Sequence, residues 1–356
     1  MDQETYRRLI SGHVSPFVGI PVRLFLTVLS WAYCLIVGVR NALYDRGLLR
    51  VHRVAIPVVC VGNLTTGGTG KTPLVAWLAG LLGQRGSRVV ILTRGYRSEK
   101  GVLSDEPAEL ASACAEASVV VNGDRVAGAA EAIERHGAEV GVMDDGFQHR
   151  RLGRDLDIVA IDATLPFGYG RLLPAGLLRE PVRGLGRAQA AVITRSDQVP
   201  AEKLEEIEGQ IRAINADLVV ARAIHAPVGA WGADGGEIGL EALRDRRVFA
   251  FCGLGNPGAF FRTVEACGCV LAGSRAFDDH QAYTGACLAK VYEEARGQGS
   301  DLVLTTSKDW NKIRPLIGPA PSLPTAYLAV ELQFTAGQEA LTTLIGWALG
   351  VRIVDL

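Results

Sequence analysis

Residues 54–73, VAIPVVCVGNLTTGGTGKTP, constrain the fold more than any other stretch: an apolar run breaks into a glycine-rich turn and then into Gly-Lys-Thr-Pro. Residues 54–61 are predicted to form a buried strand. Gly67, Gly68 and Gly70 let the turn point its backbone N–H groups at an anion, and Lys71 adds a positive charge. Thr72 supplies a hydroxyl of the kind that holds Mg²⁺, and Pro73 suits the first turn of a following helix. Strand, glycine loop and helix in this order make a phosphate cradle, with Thr65, Thr66, Gly67, Gly68, Thr69, Gly70, Lys71 and Thr72 predicted to wrap the phosphates of a nucleotide. The strict pattern Gly-x-x-x-x-Gly-Lys-Ser/Thr asks for glycine at position 65, where this chain has Thr65, so the loop is a variant of that motif.

Downstream of the loop, apolar runs alternate with helical spacing. A helix is predicted over 74–84, strands over 88–93 and 119–121, a helix over 127–135, and strands over 139–143, 156–161 and 190–194. This alternation predicts an α/β fold of the P-loop NTPase type: a mostly parallel sheet with helices on both faces, and chemistry gathered at the carboxyl ends of the strands. Around 223–247 the pattern thins and reads as a linker or crossover. Further strand runs at 247–252, 301–305 and 325–330 indicate a smaller C-terminal α/β domain. The expected organisation is an N-terminal hydrophobic, membrane-associated helix over 1–45, a P-loop core over 46–222 and the smaller domain over 223–356. Gly253-Leu254-Gly255 with Gly258 matches a dinucleotide fingerprint, but no acidic residue follows at the matching distance. A structural strand–helix turn is the better reading there.

The N-terminus departs from a soluble profile. Residues 24–39 hold no charge across 16 positions, flanked by Arg23 and Arg40. That run is shorter than the roughly 20 apolar residues of a spanning helix, and residues 14–22 extend it past Pro16 and Pro21. Residues 1–55 carry seven arginines against Asp2, Glu4 and Asp45, a local balance that suits an anionic cytoplasmic membrane surface. A core helix packed on the domain is the alternative. The net charge of −1 over 356 residues gives no reason to expect nucleic acid as a partner. The seven cysteines are odd in number and mostly embedded in apolar runs, as free thiols in a reducing compartment are.

Several polar residues end the predicted strands. Asp144-Asp145 follows an apolar strand, the context of the acid that helps hold Mg²⁺ beside a phosphate loop. Two adjacent carboxylates there repel unless a cation relieves them. His149 sits on the same rim, and Arg94 with Tyr96, Arg125 and Arg179 mark other strand ends. Together they suggest a binding face for an anion, a phosphorylated or otherwise anionic substrate, since the guanidinium fork binds phosphate bidentately. Asp105 and His280 are candidate bases for activating a hydroxyl.

The blocks GNLTTGGTGKTP, TRGYRS, SDEP, MDDGFQHRRLGRDLDIV, LLPAGLLREP, FCGLGNPGAF, FDDH and TTSKDWNKI resemble, in this order, those of the tetraacyldisaccharide 4'-kinases, the lipid A 4'-kinases of Gram-negative bacteria. The resemblance runs from about residue 41 to about 315. It implies phosphorylation of the 4' hydroxyl of a tetraacylated glucosamine disaccharide 1-phosphate, with ATP and Mg²⁺, at the cytoplasmic face of the inner membrane. The lipid A disaccharide precursor and the membrane surface are the implied partners, with no protein partner. It further implies that Asp105 and His280 form a catalytic dyad, and that Lys71 and Thr72 grip the β- and γ-phosphates and the metal. Asp144, Asp145 and Glu106 would lie in or beside the metal shell, and Arg94, Tyr96, Arg125, His149 and Arg179 would face the sugar phosphate of the lipid. Ser104 and a short segment after Tyr96 depart from the family pattern. The rival reading is a membrane-associated P-loop ATPase or GTPase switch without a small-molecule acceptor, which has no evident need for the arginine cluster or the PAGLLREP block.

Overall fold

The computed structural model describes residues 3–12, 16–95, 105–114, 116–279, 281–318 and 321–350. The chain divides into two compact units: Met1–Tyr96, Leu110–Ile224 and Phe334–Leu356 form the first, Arg97–Glu109 and His225–Gln333 the second. The segment from Phe334 onward, assigned from sequence to the C-terminal domain, thus groups with the first unit.

The chain opens with α1 (Gln3–Ser11) and α2 (Pro16–Asp45). α2 continues through Pro21, whose missing N–H removes one hydrogen bond near the helix start. Its 27-residue stretch Gly19–Asp45 is long and apolar enough to cross a membrane by length and composition. The helix is two-faced. Leu24, Phe25, Trp31, Leu35 and Ile36 are each more than 60% exposed, whereas Ser30 and Val37 are buried.

The first unit then alternates β1 (Val58–Gly62), α3 (Lys71–Gly83), β2 (Val89–Thr93), α4 (Asp105–Ala113), β3 (Ser118–Val121), α5 (Arg125–His136), β4 (Val140–Asp144), β5 (Leu156–Asp162), β6 (Ala190–Thr194), α6 (Ala201–Ile214) and the start of β7 (Val219–Gly232). β1 lies between β4 and β5, with Val59 opposite Val142 and Val61 opposite Ile158. β2 pairs with β4 and β3, and β6 pairs with β5 and the first residues of β7, all in parallel. Alternate residues Val58, Cys60, Met143, Val159 and Ile193 pack with α5 and α6 through Ala129, Ala132, Ile207 and Ile211. Their neighbours Val59, Val61, Val142 and Ile158 are equally buried. A parallel sheet covered on both faces therefore follows, and its strands read as unbroken apolar runs for that reason.

In the second unit, β8 (Glu237–Ile238) pairs antiparallel with the far end of β7, and α7 (Leu240–Leu243) leads into β9 (Arg247–Cys252). Next come α8 (Pro257–Ala266), β10 (Val270–Ala276), α9 (Gly285–Gly297), β11 (Leu302–Thr306), α10 (Ser307–Ile313) and β12 (Thr325–Ala336). The strands β10, β9, β11 and β12 are parallel neighbours in that order. Val248, Ala250 and Cys252 of β9 face Phe260 and Val264 of α8. Phe249 and Phe251 point the other way, to Leu288 and Val291 of α9 and Trp310 of α10. Finally, α11 (Gln338–Leu349) belongs to the first unit.

One sequence expectation changes here and another holds. The stretch read as a linker from 223 carries the 14-residue strand β7 up to Gly232. Pro227, which donates no hydrogen bond, falls between the part paired with β6 and the part paired with β8. The Gly253-Leu254-Gly255 fingerprint is a strand–helix turn as expected: Asn256 caps α8 by accepting from the Ala259 N–H, and the Gly253 N–H donates to the buried Asp309 carboxylate at 2.9 Å. Gly62 ends β1 against Phe147, and an alanine there would place its Cβ 2.5 Å from the Phe147 Cβ. Gly62→Ala is expected to destabilise the protein by about 1–3 kcal/mol through overpacking, read as a lowered thermal midpoint. An unchanged midpoint would show that Phe147 gives way freely.

Candidate active site

β1 ends at Gly62 and α3 begins at Lys71, so the glycine loop spans the gap between a strand's carboxyl end and a helix's amino end. Gly70 occupies the N-cap position with φ 80°, and no side chain caps the helix. The first-turn N–H groups of α3 thus face the loop without a side-chain acceptor, which is how a helix start receives an anionic oxygen. Gly67, at φ 109°, gives the loop its second left-handed turn. Thr65 needs no such freedom. It forms an antiparallel bridge with Leu178, so an extended residue takes the place of the motif's first glycine.

The loop is fastened from beneath. Asn63 Nδ2 donates to Thr69 Oγ1 at 3.0 Å and Thr194 Oγ1 to the Thr69 carbonyl at 2.9 Å. Arg195 donates to the Gly68 carbonyl at 2.9 Å while pairing with Asp162, with both side chains under a tenth exposed. Neither Asn63 nor Arg195 stands out in the sequence, because each acts only through this packing.

Asp144 closes β4, and Asp145 follows with φ 49°, a left-handed conformation that turns its carboxylate away from the strand. Lys71 Nζ lies 3.3 Å from one Asp145 oxygen, and Arg179 Nη1 donates to both oxygens at 2.8 Å. Burial alone would raise the Asp145 carboxyl, but Lys71 and Arg179 override it and hold the group well below the usual carboxylate range. Asp144 is only 7% exposed, and Arg125 Nη2 donates to its backbone carbonyl at 3.4 Å.

Arg125 is itself buried, donating to the Asn122 carbonyl at 2.8 Å. Burial lowers its guanidinium from the ordinary value, and the carboxylates of Asp144 and Asp145 oppose the shift. Arg94 follows β2, exposed, and its charge also bears on Arg125. His149 is pushed down to about 4 by burial and by the neighbouring cations Arg125 and Arg154. Its ring is therefore neutral near pH 7, and its buried Nε2 has no hydrogen-bond partner among the described residues. Because the folded chain holds fewer protons on this ring than the unfolded one between 6.5 and about 4, His149 withdraws stability as pH falls through that window. A proton-resonance titration is expected to place its midpoint near 4; a midpoint at 6.5 would mean the ring is solvated and uncoupled from the arginines.

The structure thus brings together Lys71, Asp145 and Arg179 at the loop, with Asp144 and Arg125 one step away. Tyr96 and His280, and the side chains of Asp105 and Glu106, lie outside the described residues. Among the described residues no group of three or more His, Cys, Asp or Glu side chains is placed to hold a metal ion by itself. Thr72, Asp144 and Asp145 offer hydroxyl and carboxylate oxygens, the donor type Mg²⁺ takes when phosphate and water complete its shell. The set fits that ion in chemistry.

An uncapped helix start, a lysine at its first residue and a carboxylate strand end suit the binding of phosphate groups in general. The sequence relationships narrow it. A family model described as tetraacyldisaccharide-1-P 4'-kinase (LpxK) matches residues 22–348. The chain belongs to this family. A tetraacyldisaccharide 4'-kinase of Anaeromyxobacter dehalogenans (strain 2CP-C) is 40% identical over 321 residues, covering 85% of each chain. One from Geobacter metallireducens is 38% identical over 329 residues, covering 87% of this chain and 94% of the relative. Among solved structures, LpxK from Aquifex aeolicus, crystallised in complex with ATP, superimposes with a TM-score of 0.71 at 32% identity, over 92% of this chain and 99% of that one. The P-loop type α/β fold expected from the sequence agrees with this match.

Proposed function

We propose that the protein is a kinase that transfers the γ-phosphoryl group of ATP to the 4' hydroxyl of a tetraacylated glucosamine disaccharide 1-phosphate in lipid A biosynthesis. The observation that carries this reading is the uncapped start of α3 beside the Lys71–Asp145–Arg179 cluster, in a chain belonging to the 4'-kinase family. A nucleotide switch without an acceptor is not favoured, because the family's relatives are named for a lipid disaccharide acceptor.

The chain's own groups divide the work. Loop N–H groups and Lys71 bind the phosphates of ATP and neutralise charge that spreads over the transferring group. Thr72, Asp144 and Asp145, with Glu106, would hold Mg²⁺, which when bound screens the phosphate oxygens. Asp105 and His280 are proposed as the pair that orients the acceptor hydroxyl in line and takes its proton. Arg94, Tyr96, Arg125, His149 and Arg179 are proposed to receive the sugar phosphate. The neutral His149 ring would serve there as a hydrogen-bonding group and not as a cation.

The lipid acceptor calls for a protein held at a bilayer. The exposed apolar face of α2 and the arginine-rich N-terminus supply an apolar and a basic attachment, a combination that binds anionic membranes more firmly than either one. We assign the protein to the cytoplasmic face of the inner membrane on that ground. ATP consumption by the purified protein in detergent is expected to depend on tetraacyl disaccharide 1-phosphate. Equal hydrolysis with and without this lipid, and no labelled lipid, would sink the reading.

A further inference from the structure

α2 carries more polar contacts than an anchor needs. Ser30, Tyr33, Val37, Asn41 and Tyr44 recur at the three- and four-residue spacing of one helix face, opposite the exposed Trp31, Leu35 and Ile36. On that inner face, Ser30 Oγ donates to the Leu172 carbonyl at 3.0 Å and Tyr33 OH to the Arg179 carbonyl at 2.8 Å. Asn41 Nδ2 donates to Glu180 Oε2 at 3.2 Å. Tyr6 of α1 adds a hydrogen bond to the Pro174 carbonyl at 2.9 Å.

The same segment meets the phosphate loop on its other side. Thr66 N–H donates to the Leu177 carbonyl at 2.8 Å, and Arg179 N–H to the Leu64 carbonyl at 2.7 Å. Residues 172–180 are thus held between α2 and the loop, and Arg179, at the end of this segment, reaches Asp145 with its side chain. Glu180 ties the layers together. It is fully buried, and besides Asn41 it accepts from Arg187 at 2.8 and 3.0 Å and from Gln148 Nε2 at 2.9 Å. Gln148 Nε2 also donates to the Asn63 carbonyl at 2.8 Å, just ahead of the glycine loop. A buried carboxylate held by charged and neutral donors cannot shift without leaving polar groups unpaired.

We propose that α2 is a positioning element of the phosphoryl-transfer site: Tyr33 and Asn41 fix the Arg179–Glu180 segment, and through it the Arg179 guanidinium, Asp145 and the turn before the glycine loop. This rests on the kinase reading above. The helix that would meet the bilayer with its outer face sets the donor site with its inner one, and the PAGLLREP block is the splint between them. In this role Tyr33 and Asn41 act through their hydrogen bonds to Arg179 and Glu180.

The test uses the full chain in detergent, with Tyr33→Phe and Asn41→Leu singly and combined. The readouts are kcat, the lipid KM, the Kd of a non-hydrolysable ATP analogue, and sedimentation with vesicles of phosphatidylethanolamine and phosphatidylglycerol. The double variant is expected to lose about tenfold in kcat and to bind the analogue about threefold more weakly, the scale of two lost hydrogen bonds. Its lipid KM and vesicle sedimentation stay within about twofold of the parent, since the outer face is untouched. Trp31→Ser with Ile36→Ser on the outer face should reverse the pattern, losing vesicle binding and keeping the analogue Kd. Should Asn41→Leu not fold, Tyr33→Phe carries the test by removing a single hydroxyl, with a drop of about threefold in kcat expected. Parent-like kcat and analogue Kd in the inner-face variants would overturn the proposal. So would a loss of activity that only tracks a loss of vesicle binding. Analogue binding needs no acceptor lipid. If the parent transfers no phosphate to the disaccharide, the kinase reading falls, while weaker analogue binding in the double variant still supports the coupling.

Discussion

Lys71→Ala is expected to lower turnover roughly 10²–10³-fold even when ATP and lipid are both saturating, the cost of removing a preorganised charge aimed at a developing one. Lys71 is the first residue of α3, where the helix start and the ammonium are proposed to act on the same anion, and its Nζ lies 3.3 Å from Asp145. The substitution leaves Asp145 to Arg179 alone, so the loss includes the electrostatic balance of the cluster as well as the lysine's own contact. Lys71→Arg should not restore the rate, because a planar fork cannot stand in for a compact point charge inside a tight loop. Steady-state rates with purified variants decide the matter. Turnover near the parent value would mean that the glycine loop is not where the phosphates bind.

Asp105→Ala is expected to lower kcat roughly 10²–10⁴-fold, the usual contribution of a positioned acid–base group. KM for the lipid should change little, since the lost interaction is one made as the hydroxyl gives up its proton. Near-normal turnover would remove Asp105 from the role of base and leave the neighbouring carboxylates to be tested.

The parallel strands were legible because burial on both faces writes itself into the sequence as unbroken apolar runs, from residues 58–62 to 190–194. The loop was legible because local backbone geometry calls for its glycines, Gly67 and Gly70 having positive φ, and a bound anion calls for the charge of its lysine. β7 was not, since Pro227, Gly229 and Gly232 mimic a linker and the strand is held by partners distant in the chain. The relief of the Asp144-Asp145 repulsion was foreseen as a cation; part of it comes from Lys71 and Arg179, which no spacing rule pairs with Asp145. The structural role of Glu180 was hidden for the same reason, as its donors Asn41, Gln148 and Arg187 come from three separate segments. The polar stripe on α2 left a trace in the spacing of Ser30, Tyr33 and Asn41, outweighed by the apolar residues around it.

The proposed reaction moves a phosphoryl group from ATP onto a specific sugar hydroxyl. The most direct measurement is the position of the new phosphate on lipid product isolated after incubation with ATP, read by phosphorus–proton correlation in NMR. The product is expected to show a second phosphomonoester coupled to the proton at the 4' position, alongside the original one at position 1. A phosphate elsewhere on the disaccharide, or inorganic phosphate with unmodified lipid, would contradict it.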